Sequence, residues 1–79
     1  MWHEGTIGIK DKDGKMVGVH YQVKVYDEGS QYGIEGGRIS KLWLRQGKTT
    51  VANYDRGWDI KPQTPEAETA LAILMHEYK

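Results

Sequence analysis

The sequence contains no cysteine and no phenylalanine, and its 11 basic and 11 acidic residues leave no net charge. Without cysteine the chain can form neither disulfides nor thiolate zinc sites, and this composition is typical of proteins in a reducing cytoplasm. The neutral total counts against strong non-specific binding to nucleic acid, which draws on a surplus of lysine and arginine. We therefore expect a cytoplasmic protein that uses no metal and no other cofactor.

Long apolar runs are also missing. No stretch approaches the ~20 apolar residues that cross a bilayer. The start, Trp2-His3-Glu4, is followed by glycine and charge, unlike a secretory signal. Both absences predict that the protein has no membrane partner. His3, His20 and His76 lie far apart in the sequence and have no partner at the spacing of metal ligands, which again predicts no metal site.

The length of 79 residues predicts a single small domain over residues 1–79. A chain of this size buries only roughly 60% of the surface of its unfolded form, so its core must be small. Five tyrosines and three tryptophans supply the aromatic surface. Both residue types join a large apolar body to a polar tip, which suits half-buried positions and interfaces.

Alternating apolar and polar residues predict four strands, over residues 3–10, 16–26, 38–45 and 49–55. In the second strand one face is apolar, with Val17, Val19, Tyr21, Val23 and Val25. An Asp-Gly turn favours a hairpin between the first two strands, and Gln46-Gly47-Lys48 predicts a turn between the last two. The longer connection Asp27–Gly37 is predicted to be a loop, and residues 55–63 to be irregular.

The third strand has a mixed pattern. Strict alternation puts Ile39 and Trp43 on one face with Lys41 and Arg45, while Leu42 and Leu44 share the other with Arg38 and Ser40. Apolar groups on both faces are typical of a central strand. Which of the two faces remains uncovered decides which side chains a partner can reach.

A helix is predicted over residues 65–78. Thr64 is a good N-cap, Pro65 suits the first helical position, and Glu66 and Glu68 lie where the helix dipole favours negative charge. Apolar residues recur at helical spacing and form a stripe that can cover the sheet: Ala67, Ala70, Leu71, Leu74 and Tyr78, widened by Ile73 and Met75. The predicted fold is α+β, a four-stranded antiparallel β-meander with one C-terminal α-helix packed on the sheet (β-β-β-β-α).

The run Asn53–Asp59 is the densest polar cluster and admits three interpretations. Asp55 and Asp59 could form an acid-base pair with Arg56 as an anion clamp. Alternatively, Asp55 accepts backbone N–H groups at a turn, Arg56 pairs with an acid, and Trp58 fills the gap between the sheet and the helix. The third interpretation is a binding surface. No histidine is near in sequence and a sheet this small offers little concavity, so we expect no enzyme.

Arginine, tyrosine and tryptophan dominate the binding energy of protein interfaces, and they concentrate in residues 32–58. The predicted binding residues are Tyr32, Arg38, Lys41, Trp43, Arg45, Tyr54, Arg56 and Trp58. A protein partner is the leading hypothesis. The alternative is a single-stranded nucleic acid, whose bases would stack on the aromatic rings beside the cations. A second copy of the chain, covering the free face of the sheet, is a further candidate partner.

Two segments carry a resemblance to a known family. The segments Tyr32–Leu42, containing GGRISKL, and Asn53–Asp59, NYDRGWD, resemble a small family of uncharacterised domain proteins of Gram-positive bacteria and their phages and mobile elements. The resemblance covers most of the chain after the first hairpin and brings no catalytic residue or cofactor. It implies an accessory protein of a mobile element that binds and inhibits a host defence system, such as a CRISPR nuclease.

Overall fold

The computed structural model describes all of residues 1–79. Five antiparallel strands form one sheet, in which each strand pairs with its neighbour in the chain, and one helix follows. The elements are β1 (Trp2–Lys10), β2 (Met16–Val25), β3 (Ile39–Gln46), β4 (Thr49–Asp55), β5 (Trp58–Ile60) and α1 (Pro65–Glu77). The predicted α+β class, the antiparallel sheet and the C-terminal helix are confirmed.

The predicted number of four strands is wrong, because the segment expected to be irregular contains β5. After β4 the chain turns at Arg56-Gly57 and pairs back, with Trp58 opposite Tyr54. A strand of three residues is too short to show a period-two pattern, so alternation could not reveal it. Lys61-Pro62 follows at once, and proline cannot donate a ladder hydrogen bond, so β5 ends there.

The first hairpin pairs β1 with β2 along their whole length. The Asp11 carboxylate closes its turn by accepting the backbone N–H groups of Asp13 and Lys15, at 2.8 and 3.0 Å. Gly14 sits at φ 81°, a left-handed conformation that glycine adopts without steric cost. The resulting register sets the isoleucines of β1 and the valines of β2 on the same face of the sheet.

A bulge between β2 and β3 changes the predicted faces of β3. Lys24 pairs with Lys41 and Val25 with Ile39, so Ser40 is an extra residue without a partner in the ladder. The bulge rotates Ile39 onto the buried face with Leu42, where it is 1% exposed. The prediction that Ile39 shares a face with Lys41 is therefore wrong, whereas Lys41, Trp43 and Arg45 do share one.

Helix α1 begins as its sequence predicts. The Thr64 hydroxyl accepts the N–H of Ala67 at 3.0 Å, and Pro65 occupies the first helical position. The helix packs against β1 and β2. Its buried stripe is narrower than predicted, since Ile73 is 44% exposed. With 13 residues, α1 is neither long nor apolar enough to cross a membrane.

The core lies between α1 and one face of the sheet. Each fully buried aliphatic side chain there contributes about 1.5–3 kcal/mol relative to an exposed one. Its members come from every major element and from the loop before β3: Ile9, Val19, Val23, Val25, Ile34, Ile39, Leu42, Leu44, Val51, Ala52, Tyr54, Ala67, Ala70 and Leu74. All of this packing is on one side, so the other face of the sheet has no covering layer.

The loop before β3 folds back on itself. A short 3-10 turn, Ile34–Gly36, buries Ile34 in the core. A Cβ on Gly33 would overlap the carbonyl oxygen of Gly37, so the two backbone segments can approach only because residue 33 is glycine. Gly33 thus permits a close contact within the chain.

Candidate binding surface

The face of the sheet that α1 leaves uncovered, called the open face below, is lined by alternate residues of four strands. Its members follow from the strand register, because residues paired across a ladder lie on the same face. They are Trp2, Glu4, Thr6, His20, Gln22, Lys24, Lys41, Trp43, Arg45, Thr50, Asn53 and Asp55. The open face is therefore polar and aromatic, with charges of both signs.

A hydrogen-bonded network fixes the β1 side of the open face. The Glu4 carboxylate accepts a bond from the Gln22 amide at 2.6 Å and lies 3.4 Å from Nε2 of His20. The other ring nitrogen of His20 is 3.2 Å from the Thr6 hydroxyl. The Gln22 bond, and next the bond to His20, lower the pKa of Glu4. Glu4 is thus held as a carboxylate in a defined orientation.

Trp43 occupies the middle of the open face and is held on several sides. Its indole N–H donates to the Thr50 hydroxyl at 3.0 Å. The Arg45 guanidinium lies 5.4 Å from the ring centre, and the His20 ring meets it edge-on at 6.2 Å. A ring fixed in this way loses little conformational entropy when a partner covers it.

A shallow cavity of about 130 Å³ is lined by Trp2 and Trp43 together with Lys41 and Asp55. Trp2, at the edge of the sheet, is 57% exposed. The Lys41 ammonium lies 3.8 Å from the Asp55 carboxylate across the β3–β4 ladder. Two tryptophans and an ion pair therefore meet around one concave spot.

Three predicted binding residues lie away from the open face. Arg38 donates to the carbonyl of Tyr26 at 2.8 Å and to the carbonyl of Lys79 at 3.4 Å, so it fastens the start of β3 to the end of the chain. Tyr54 is 8% exposed and belongs to the core. Trp58 packs edge-on against Tyr54 with ring centres 5.0 Å apart, on the face that carries the core.

The other two predicted residues meet at the end of the sheet. The Arg56 guanidinium lies 5.7 Å from the centre of the Tyr32 ring. The predicted pairing of Arg56 with an acid is absent, since no carboxylate lies within 4.0 Å of it. Asp55, the residue before Arg56, lies beside Lys41 instead.

A family model described as Domain of unknown function (DUF7678) matches residues 1–79. The chain belongs to this family. The match spans the sheet and the helix together. It agrees with the expected resemblance to a family of small uncharacterised domains. No curated protein and no solved structure matches the chain.

Several open-face residues of this DUF7678 domain were not among the predicted binding residues. His20 and Gln22 alternate with the valines of β2, so the sequence pattern does place them on the face opposite to the valines, which is the open face. Their contact with Glu4 was not, because it depends on the register between β1 and β2. Trp2 carries no pattern that distinguishes it from a residue at the start of any strand.

Proposed function

We propose that the domain is a non-catalytic protein-binding module that meets its partner through the open face. One observation carries the proposal: Trp43 is seated in a fixed orientation at the centre of a sheet face that has no covering layer. Tryptophan and arginine at the centre of an interface contribute most of its binding energy. Preorganisation adds to affinity because less motion is lost on binding.

The charge pattern of the open face favours a protein over a nucleic acid. Glu4 and Asp55 are distributed among the cations, and a phosphate backbone would meet both carboxylates. One face of the Trp43 ring lies under the Arg45 guanidinium, so a base cannot stack there. Mixed charge around an aromatic centre is the pattern that gives protein interfaces their specificity.

A narrower proposal concerns the partner. The resemblance of residues 32–42 and 53–59 to proteins of phages and mobile elements of Gram-positive bacteria supports a host defence enzyme, such as a CRISPR nuclease, as the target. Inhibition would then follow from occupying a functional surface of that enzyme. The absence of cysteine supports a site of action in the reducing cytoplasm, where such enzymes work.

Capture of partners from a Gram-positive host lysate tests the proposal. The wild-type domain is expected to retain a protein in stoichiometric amount, and Trp43→Ala or Arg45→Glu to lose it. Lys48→Glu is the matched control, because it makes the same charge change in the β3–β4 turn, outside the open face. The proposal would be overturned if the Arg45→Glu variant still retained the captured protein, or if the Lys48→Glu variant lost it equally. Circular dichroism verifies that each variant is folded.

A second candidate function, binding of single-stranded nucleic acid, is favoured by the exposure of Trp2 beside Lys24, its partner in the ladder. Fluorescence anisotropy of labelled oligonucleotides at low and moderate salt separates the two candidates. Protein binding through the open face predicts no change in anisotropy. Binding that weakens steeply with salt, and disappears with Trp2→Ala, would favour the nucleic acid.

The open face also admits a second copy of the chain as its occupant, so a homodimer is a further form of the protein-binding proposal. Sedimentation velocity over a range of concentrations tests this form. A dimer that Arg45→Glu dissociates and Lys48→Glu leaves intact would assign the open face to self-association. A monomer at all concentrations would restrict the proposal to a different protein.

A further inference from the structure

A second concave site lies where the open face meets the loop before β3. It has a volume of about 240 Å³ and is called the cationic pocket below. Three of its lining residues are cations and none is an acid; the lining is Lys24, Tyr26, Ser30, Tyr32, Ser40, Lys41 and Arg56. A pocket with this lining attracts an anion.

The strand register forces two of these cations together. Lys24 pairs directly with Lys41 across β2 and β3, and like charges in this position destabilise a sheet. One carboxylate, that of Asp55, forms an ion pair with one of them, 3.8 Å from the Lys41 ammonium. Lys24, Lys41 and Arg56 against Asp55 leave a surplus of two positive charges.

The third cation is held in place by a strained backbone. Arg56 has φ 61°, a left-handed conformation that costs roughly 1–2 kcal/mol for a residue with a side chain. Strain of this kind persists where the surrounding structure enforces it, and it is concentrated at functional sites. The conformation keeps the guanidinium over the Tyr32 ring, at the rim of the cationic pocket and without a carboxylate partner.

Hydroxyl groups complete the lining. The Ser40 hydroxyl donates to the Lys24 carbonyl at 3.4 Å, which is long for a hydrogen bond. The hydroxyl is therefore able to donate instead to an oxygen of a ligand in the pocket. A hydrogen bond from Lys24, then the charge of Lys24, lowers the pKa of the Tyr26 hydroxyl, with smaller contributions from Ser40 and Arg56. The pocket thus joins hydroxyl donors to a positive potential.

We propose that the cationic pocket binds a phosphate monoester carried by a side chain of the partner protein. A monoester has a charge of about −1.5 to −2 at pH 7 and three acceptor oxygens, which matches the surplus charge and the several donors. A carboxylate or a nucleic-acid phosphodiester carries a single charge and fits less well. This inference rests on the proposed protein-binding function, because Lys41 lines both the cationic pocket and the cavity of the open face.

The pocket can be tested without the partner. In ¹H–¹⁵N spectra recorded at constant ionic strength, methyl phosphate is expected to shift the amides of Ser30, Ser40 and Arg56. Dimethyl phosphate, the singly charged diester, is expected to bind at least about tenfold more weakly, since charge-assisted bonds and one unit of charge are lost. A phosphoserine peptide should shift the same amides, and its unphosphorylated form should not.

Arg56→Gly is the most informative variant, because glycine adopts the left-handed backbone and only the cation is lost. It is expected to weaken methyl phosphate binding about tenfold. Lys24→Gln is a second variant with the same expected direction. Lys48→Gln, which removes one cation outside the pocket, is the matched control and should leave affinity unchanged.

The inference would be overturned if methyl phosphate shifted no amides at the pocket, if the diester bound equally well, or if Arg56→Gly and Lys48→Gln lost affinity equally. Tighter binding of a single-stranded oligonucleotide than of the phosphopeptide would also overturn it, in favour of a nucleic-acid phosphate. If the pocket fails these tests while Arg45→Glu still abolishes capture of a protein, the proposed function stands and the phosphate site does not.

Discussion

The Tyr54 hydroxyl donates a hydrogen bond to the backbone carbonyl of Tyr32 at 2.9 Å. This bond joins β4 to the middle of the loop before β3, and it passes through the core side of the sheet. The loop that lines the cationic pocket is therefore anchored by a buried side chain, although most of its own residues are exposed.

Tyr54→Phe is expected to remove this anchor and lower the free energy of unfolding by about 1 kcal/mol, a typical net value for one hydrogen bond. Urea denaturation monitored by tryptophan fluorescence measures the change. Tyr32→Phe is the control: it removes an exposed hydroxyl and keeps the carbonyl that accepts the bond. An equal loss in both variants would show that the Tyr54–Tyr32 bond is not responsible.

Arg56 permits a test of its backbone conformation by two substitutions that remove the same side chain. At φ 61°, Arg56→Gly relieves strain and Arg56→Ala retains it, so the glycine variant is expected to be more stable by about 1 kcal/mol. Thermal unfolding of both variants measures the difference. An alanine variant as stable as the glycine variant would contradict the left-handed turn.

Leu44 is completely buried in the middle of β3. Leu44→Ala is expected to cost about 2–5 kcal/mol through lost burial and the cavity left behind. A domain of this length has a stability on the order of 4–12 kcal/mol, so a large part of it would be lost. Ile73→Ala, at an exposed position on α1, should cost far less. Urea unfolding compares the two, and similar costs would contradict the described core.

Glu4 links stability to pH. Its pKa in the folded state lies below the ordinary value of 4.5, chiefly because Gln22 hydrogen-bonds the carboxylate. Because its pKa is lower in the folded state, the Glu4 carboxylate adds to the free energy of unfolding. This stabilisation is fully present above pH 4.5 and is lost as the pH falls through the folded-state pKa. We expect Glu4→Gln to reduce the loss of stability between neutral and acidic pH.

Urea midpoints at pH 7 and pH 3 measure this effect. Glu28→Gln is the control, since the Glu28 carboxylate lies in the loop and accepts no hydrogen bond there. If Glu4→Gln and the wild type lose stability equally on acidification, the network around Glu4 contributes nothing to the pH dependence.

The sequence predicted those elements whose pattern is long and local. The valines of β2 alternate over ten residues, and Thr64-Pro65 marks the start of α1 directly. The bulge at Ser40 and the strand β5 were not predicted. Ser40 is one residue inserted between two paired segments, so alternation simply continues through it in the sequence and assigns Ile39 to the wrong face.

The candidate site was predicted in part for the same reason. Lys41, Trp43 and Arg45 follow the bulge at Ser40 on β3, where alternation along the strand holds, and the structure does bring them together. Tyr54 and Trp58 were grouped with them by residue type alone, yet the register puts their rings on the core side. The cationic pocket joins β2, the loop, β3 and the β4–β5 turn, and no local pattern links segments so distant in sequence.

The two edges of the sheet are unequal, and one of them is much better suited to pairing with an additional strand. On one side β5 offers three residues and runs into Lys61-Pro62, so an additional strand would find almost no hydrogen-bonding partners. On the other side β1 offers a nine-residue ladder with an unoccupied edge. A strand contributed by another chain would therefore find a long row of hydrogen-bonding partners at β1, beside Trp2, and only a short one at β5.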